Sequence, residues 1–250
     1  MTTAAFATPV AAVLFDFAGT LFDDRELRLV HLQQLRFVAA AANVDAADIG
    51  DDGLRRAYRH GMGVAYGAIA GQPAYLHRTL FAAAFVAMAD ALGGKIDEST
   101  AQRAVDRQYR ATIDEAVLRP GCLETLGALR TAGIHVQIVS NIDDEQLEPM
   151  VDRLGLRQVI EAATSSETAR SCKPHPAIYR LALQKAGVDA PRALFVGDSL
   201  GHDVAGPAAA GMRTAWLAPR GDADHGDVRP DAVIHSLSEV LRLVGIGANP

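Results

Sequence analysis

A chain of 250 residues, 49% of them hydrophobic, is long enough for one large domain or for a core that carries an inserted second unit. Its formal charge is -6, and the 24 basic residues never gather into the run of about five or six like charges that marks a nucleic-acid arm. No nucleic-acid partner is expected, and a small anionic ligand must be drawn by a local positive site. The start, Met1 to Phe6, has no basic residue, and the apolar stretch after it is interrupted by Pro9 and ended by Asp16, which fits neither a signal peptide nor a membrane span. Two cysteines, Cys122 and Cys172, lack metal-ligand spacing; two thiols in a chain of this length point to a reducing compartment, so a cytoplasmic location is expected.

Residues 10–15 form an unbroken apolar run bounded by Pro9 and Asp16, the pattern of a strand buried on both faces. Residues 22–118 read differently. Asp23 stands three before Glu26 as a capping box, alanine-rich stretches follow, and Leu80, Ala84, Met88 and Leu92 recur at helical spacing until Gly93-Gly94 breaks the pattern. This is a helical insert directly after the first strand, and its alanine and methionine stripes read as ordinary helix packing.

Beyond it, strands are predicted at 134–139 (broken by His135 and Gln137), 193–196, 214–217 and 232–234, with a helix marked by Leu147, Met150, Val151 and Leu154. Ala132-Gly133-Ile134, Leu154-Gly155-Leu156, Ala186-Gly187-Val188 and Ala210-Gly211-Met212 each place glycine before an apolar residue, a helix stop in which the apolar residue folds back on the last turn. Alternating strand and helix predicts a parallel sheet with right-handed crossovers. The fold class is therefore α/β, a Rossmann-like parallel sheet core with an inserted helical cap domain; the expected boundaries are 1–21 and 119–250 for the core and 22–118 for the cap.

In an open parallel sheet, ligands bind outside the carboxyl ends of the strands, so groups far apart in sequence can converge there. The first strand ends in Asp16 and leads to Gly19-Thr20, the second ends in Ser140-Asn141, and a later one ends in Gly197-Asp198-Ser199, with Asp203 close behind. Lys173-Pro174 stands before a helix that starts near Pro176. Asp16, Asp198 and Asp203 in one cleft would repel unless a hard cation such as Mg2+ lay among them. Ser140 and Asn141 can donate hydrogen bonds to phosphate oxygens, Lys173 adds a compact positive charge, and Asp16 can attack phosphorus to give an aspartyl-phosphate. Each motif alone is weak; their order and shared position at strand ends make the set specific.

The set resembles the haloacid dehalogenase-like (HAD) hydrolase superfamily, in the subgroup with a helical cap after the first strand. Asp16 to Thr20 is similar to its first motif, Ser140 to the second, Lys173 to the third, and Asp198 with Asp203 to the fourth, in a run from Val196 to Met212 that is particularly close to the family's usual sequence. The resemblance implies an Mg2+-dependent phosphohydrolase acting on a small phosphorylated metabolite. Asp16 is then the nucleophile, with Thr20, Ser140 and Lys173 beside it, and Asp16, Asp198 and the carbonyl of Ala18 bind the metal with support from Asp203. A monomer or homodimer is expected.

One residue departs from the family pattern. Its phosphatases carry aspartate at the position of Ala18, where it protonates the leaving oxygen and then activates water, assistance worth roughly 10^2 to 10^4 in rate. The alanine makes this form slow or stalled on alkyl phosphates and leaves alternatives open. Phosphonoacetaldehyde hydrolases resemble this chain in having Asp-x-Ala-Gly-Thr, but they use a cap lysine, and the predicted cap holds only Lys95, with arginines in residues 54–63. Haloacid dehalogenases also lack the acid, but they need no metal. A non-catalytic phosphate-binding or regulatory protein is the third alternative. Asp23, Asp24, His31, His60 and His77 are the candidates for a substitute acid.

Overall fold

The computed structural model describes residues 6, 8–23, 27–219 and 226–247. It divides into two compact units, Asp24–Ala116 and the pair of segments Met1–Asp23 and Val117–Pro250.

The unit Asp24–Ala116 is built from α1 (Arg28–Ala41), α2 (Ala46–Ala68), α3 (His77–Ala91) and α4 (Glu98–Glu115). The Asp45 carboxylate caps α2 by accepting from the Ala47 amide at 2.8 Å, and Asp97 caps α4 from Thr100 at 2.8 Å, each supplying an acceptor that the first turn lacks. The Asp23–Glu26 capping box falls partly outside the described residues, as does the candidate acid Asp24; α1 follows Leu27 without a side-chain cap. Leu35, Val38, Leu54, Phe85, Met88, Ala104 and Val105 bury their side chains in one cluster, which is the stabilising core of these four helices. Gly93 ends α3 with φ 83°, where the sequence break was expected. His31 stacks edge-on against Tyr58 at 4.7 Å, and burial, with Arg55 nearby, holds it below the ordinary histidine range. His77 is buried beside Tyr75, His60 is exposed, and Lys95 is exposed in the loop before α4.

The second unit is a six-stranded parallel sheet: β1 (Ala12–Phe15), β2 (His135–Ser140), β3 (Ala162–Ser165), β4 (Ala193–Gly197), β5 (Arg213–Leu217) and β6 (Ala232–Ile234). They lie in the order β3-β2-β1-β4-β5-β6. The connecting helices are α5 (Cys122–Thr131), α6 (Asp144–Arg153), α7 (Ser166–Ala169), α8 (Pro176–Ala186), α9 (Gly206–Ala209) and α10 (Glu239–Leu243). β1 is fully buried and central, as its apolar run requires, and Leu14, Val139, Tyr179, Ala182 and Phe195 pack together on one face of the sheet.

Two details differ from the sequence reading, the start of the first strand and the presence of β3. The first strand begins at Ala12, where pairing with His135 and Ala193 begins, with Ala11 already bonded to Arg192 and His135 through its backbone, so that only Val10 of the predicted run stands outside. The predicted strand at 134–139 is β2, and its interrupting polar residue is accommodated: buried Gln137 donates to Thr164 Oγ1 at 2.9 Å and lies 3.2 Å from His135 Nε2. The edge strand β3 has no apolar run to announce it: among the described residues its outer flank carries no neighbouring strand, and Ala-Ala-Thr-Ser suffices. Gly133, Gly155, Gly187 and Gly211 all take positive φ, between 64° and 81°. Backbone bonds from Ile134 to Leu129 and from Met212 to Pro207 close the turns as the glycine spacing predicts. Cys122 and Cys172 are both free and buried.

Candidate functional site

The strand order reverses around β1: β2 and β3 lie to one side, β4 to β6 to the other. Such a switch point opens a crevice at the carboxyl ends of the strands. Asp16 leaves β1 there, its amide still bonded to the Val196 carbonyl at 2.9 Å, while Ser140 ends β2 and Asp198 follows β4. After Asp16 the chain turns sharply. Thr20, Leu21 and Phe22 donate their amides to Phe17, and Gly19 adopts φ 82°, a left-handed conformation open to glycine. Glycine is required there twice over, because a Cβ on Gly19 would lie 2.5 Å from Asp198 Oδ2. Ala18 is an exposed residue of this turn.

Lys173 lies at the centre of the constellation. Its ammonium donates to Asp16 Oδ1 at 2.6 Å and to Asp203 Oδ1 at 2.7 Å, and all three side chains are buried. Ser140 Oγ donates to the same Asp16 oxygen at 3.1 Å; Thr20 Oγ1 donates to Asp16 Oδ2 at 3.3 Å and reaches Asp198 Oδ1 at 3.5 Å. Burial works against the Lys173 charge, but the carboxylates of Asp16 and Asp203 outweigh it and hold the ammonium above the ordinary lysine range. Burial also pushes Asp203 up to about 7, opposed by Lys173 and reinforced by Asp16. Both carboxylates lie within 2.7 Å of the ammonium, so Lys173 serves two acids from different parts of the chain at once.

Asp203 reaches this position through local geometry. Residues Leu200–Ala205 wind as a wide π-type turn after β4, and the Ser199 amide donates to Asp203 Oδ2 at 3.0 Å. Gly197 makes room for it: an added Cβ would meet Asp203 Cγ at 2.3 Å. Carboxylate oxygens of Asp16, Asp198 and Asp203 all lie within 4.8 Å of one another, with Asp198 exposed and the other two buried. Three oxygen donors converging with one face open to solvent suit a hard cation that keeps part of its water shell, and the residues present therefore fit Mg2+.

The structure brings together Asp16, Thr20, Ser140, Lys173, Asp198 and Asp203. Asn141 is engaged elsewhere: Oδ1 accepts from the Lys173 amide at 2.6 Å and Nδ2 donates to the Lys173 carbonyl at 2.9 Å. Asp23, a candidate acid, pairs with Arg119 at 3.2 Å. His31, His60, His77 and Lys95 belong to the helical unit. Two contributors have no sequence signal. Arg119 donates to the Gly19 carbonyl at 2.6 Å while holding Asp23, which braces the loop after β1. Trp216 Nε1 donates to the Asp198 carbonyl at 2.8 Å. Both are single residues whose spacing in the chain carries no pattern.

A family model described as haloacid dehalogenase-like hydrolase matches residues 10–211. The chain is 31% identical to a phosphoglycolate phosphatase of Pseudomonas syringae pv. tomato over 153 residues, 58% of this chain and 55% of that protein. The chain spans about half the length of the curated relatives it matches. Among solved structures, the HAD-hydrolase YfnB from Bacillus subtilis, bound to magnesium, superposes with a TM-score of 0.77 at 20% identity, covering 96% of this chain and 100% of that one. A 2-haloacid dehalogenase from Pseudomonas syringae pv. tomato gives a TM-score of 0.67 at 26% identity, covering 94% of this chain and 98% of that one.

Proposed function

The chain belongs to the haloacid dehalogenase-like hydrolase family, and from that premise we propose that it is an Mg2+-dependent phosphatase of a small phosphorylated metabolite. The observation that carries this reading is the meeting of Asp16, Lys173 and Asp203 beside Asp198 at the switch point of the sheet. A buried nucleophile, a fixed ammonium and a three-carboxylate cation site are the groups that phosphoryl transfer needs. The names of curated relatives, phosphoglycolate phosphatase and ribulose-1,5-bisphosphate 5-phosphatase, support the same substrate class.

In this reading Asp16, Asp198 and the Ala18 carbonyl hold Mg2+, with Asp203 supporting the site. Bound there, the ion supplies positive charge against the carboxylates and the substrate phosphate. An oxygen of Asp16 attacks phosphorus, a P–O bond forms, and the ester P–O bond breaks with its electron pair on the leaving oxygen. Ser140, Thr20 and Lys173 hold phosphate oxygens as charge builds on them. Water then attacks the phosphorus of the aspartyl-phosphate and releases inorganic phosphate and the free Asp16 carboxylate. Ala18 offers no proton to the leaving oxygen and no base to the water, so both must exchange protons with solvent and turnover is slow. We assign the unit Asp24–Ala116 as the cap that selects the substrate, and place the protein in the cytoplasm as a monomer or homodimer.

The test compares the wild type with Asp16→Asn and Ala18→Asp on aryl, sugar and acyl phosphates, with Mg2+ and with chelator. Asp16→Asn should abolish phosphate release, and Ala18→Asp should raise alkyl-phosphate turnover by about 10^2 to 10^4. Tight phosphate binding by the wild type and Ala18→Asp with no turnover in either would replace this reading with a phosphate-binding protein. Alanine rather than an acid at position 18, with the likeness to a 2-haloacid dehalogenase, favours one second reading, a 2-haloacid dehalogenase, in which Asp16 displaces halide from carbon. Halide release from 2-chloropropionate in chelator would establish it.

A further inference from the structure

We infer that Asn141 is a positioning residue for Lys173, gripping the lysine's main chain so that its ammonium reaches Asp16 and Asp203. The inference rests on the phosphatase reading of the site and assigns Asn141 a task other than direct contact with phosphate.

The geometry is specific. Asn141 directly follows Ser140, and its side-chain amide forms two bonds to a single residue 32 positions away: acceptor to the Lys173 N–H at 2.6 Å and donor to the Lys173 C=O at 2.9 Å. An amide that meets both polar groups of one residue works as a short piece of β-ladder. Lys173 sits in the irregular segment between α7 and α8, where no regular ladder fixes the backbone. Its side chain is long and flexible, so the placement of Nζ depends on where its Cα is held. The ammonium at the end of that chain makes bonds of 2.6 and 2.7 Å to two carboxylates that belong to different elements, the end of β1 and the turn after β4. The same peptide of the chain that carries Ser140 to Asp16 therefore also fixes Lys173 against it.

The short replacements do not reproduce the grip. Aspartate keeps the acceptor but loses the donor and turns a negative charge toward the Lys173 carbonyl. Serine is too short to span both groups, and alanine removes both bonds.

The test is a double-mutant cycle of Asn141→Ala and Lys173→Met, with kcat and KM for p-nitrophenyl phosphate measured in Mg2+. It is joined by the ammonium signal of Lys173 in 15N-lysine-labelled protein, which holds three lysines, Lys95, Lys173 and Lys185. Asn141→Ala should lower kcat by about 10 to 100-fold, the range seen when the partner that orients a functional ligand is removed. KM should stay nearly constant, and the slowly exchanging Lys173 ammonium signal should broaden or vanish. On the Lys173→Met background, Asn141→Ala should cost little more. Asn141→Asp, which keeps the shape, gives a second reading if the alanine variant fails to fold, and should lose the same signal. Losses that multiply in the double variant, or a rise in KM with the ammonium signal intact, would overturn the inference in favour of direct phosphate contact. A wild type with no turnover in Mg2+ would defeat the phosphatase reading instead, and the ammonium signal would still decide whether Asn141 positions Lys173.

Discussion

Replacing Lys173 with methionine removes the one cation between two buried carboxylates and tests the electrostatic account of the site directly. At an effective dielectric of about 20, charges separated by the observed 2.6 and 2.7 Å attract by about 6 kcal/mol each. Most of that offsets the desolvation of three ions, which costs several kcal/mol apiece. Stripping one partner from such a buried pair leaves the rest of the desolvation uncompensated, and the expected loss of stability is about 3–5 kcal/mol.

The loss must depend on pH. Asp203 is raised by burial to about 7, so the folded state holds its proton more tightly than the unfolded chain does. That contribution to stability is complete below the unfolded value, about 3.9, and is lost as pH rises through the folded one. In the variant the ammonium no longer lowers Asp203, so the window extends upward and protonation relieves the repulsion at pH 5.5 but less at pH 8.5. Urea unfolding in chelator, followed by the fluorescence of Trp216, the single tryptophan and a buried residue of β5, reports on the sheet unit. The destabilisation should be larger at pH 8.5 than at pH 5.5, and Mg2+ should restore part of it at the higher pH. A loss below about 1 kcal/mol at pH 8.5, or an equal loss at both values, would show that the trio is not a buried ionised cluster.

Two further outcomes follow from close packing. Gly19→Ala places a methyl 2.5 Å from Asp198 Oδ2 on a backbone with φ 82°, so Mg2+ affinity measured by titration calorimetry should fall. The strain itself should cost about 1–3 kcal/mol in unfolding experiments. Unchanged affinity would remove Asp198 from the cation site. Cys122 is buried, and burial, reinforced by Glu124, pushes its thiol up to about 12. It should therefore resist Ellman's reagent at pH 8 in the folded protein and react at once in urea; fast labelling of Cys122 in the native state would contradict its burial.

Much of the fold was legible because burial leaves a mark on composition. A strand covered on both faces must be apolar along its length, and β1 reads so; helices that stop before a strand need a residue free to turn left-handed, and four glycines mark those stops. The edge strand β3 left no such mark, since a strand with one neighbour and polar contacts tolerates Ala-Ala-Thr-Ser. Gln137 interrupts the apolar run of a strand that the sequence nevertheless marks, and only the cross-strand Thr164 and nearby His135 show how the sheet accommodates it.

At the site, the chain alone determined which chemical groups exist, with Asp16, Ser140 and Asp198 at strand ends, Asp203 close behind and Lys173 before a helix. It also determined that Ala18 has no carboxylate to give. Only the tertiary structure decided how they are shared. Lys173 spends its hydrogen bonds on two carboxylates, Asn141 turns to the Lys173 backbone, and Arg119 fastens the loop that follows β1. The reason is physical: residue identity sets what a group can donate, accept or charge, whereas the choice among partners depends on distances of a few tenths of an ångström between segments 30 to 157 residues apart, and those are set when the sheet packs.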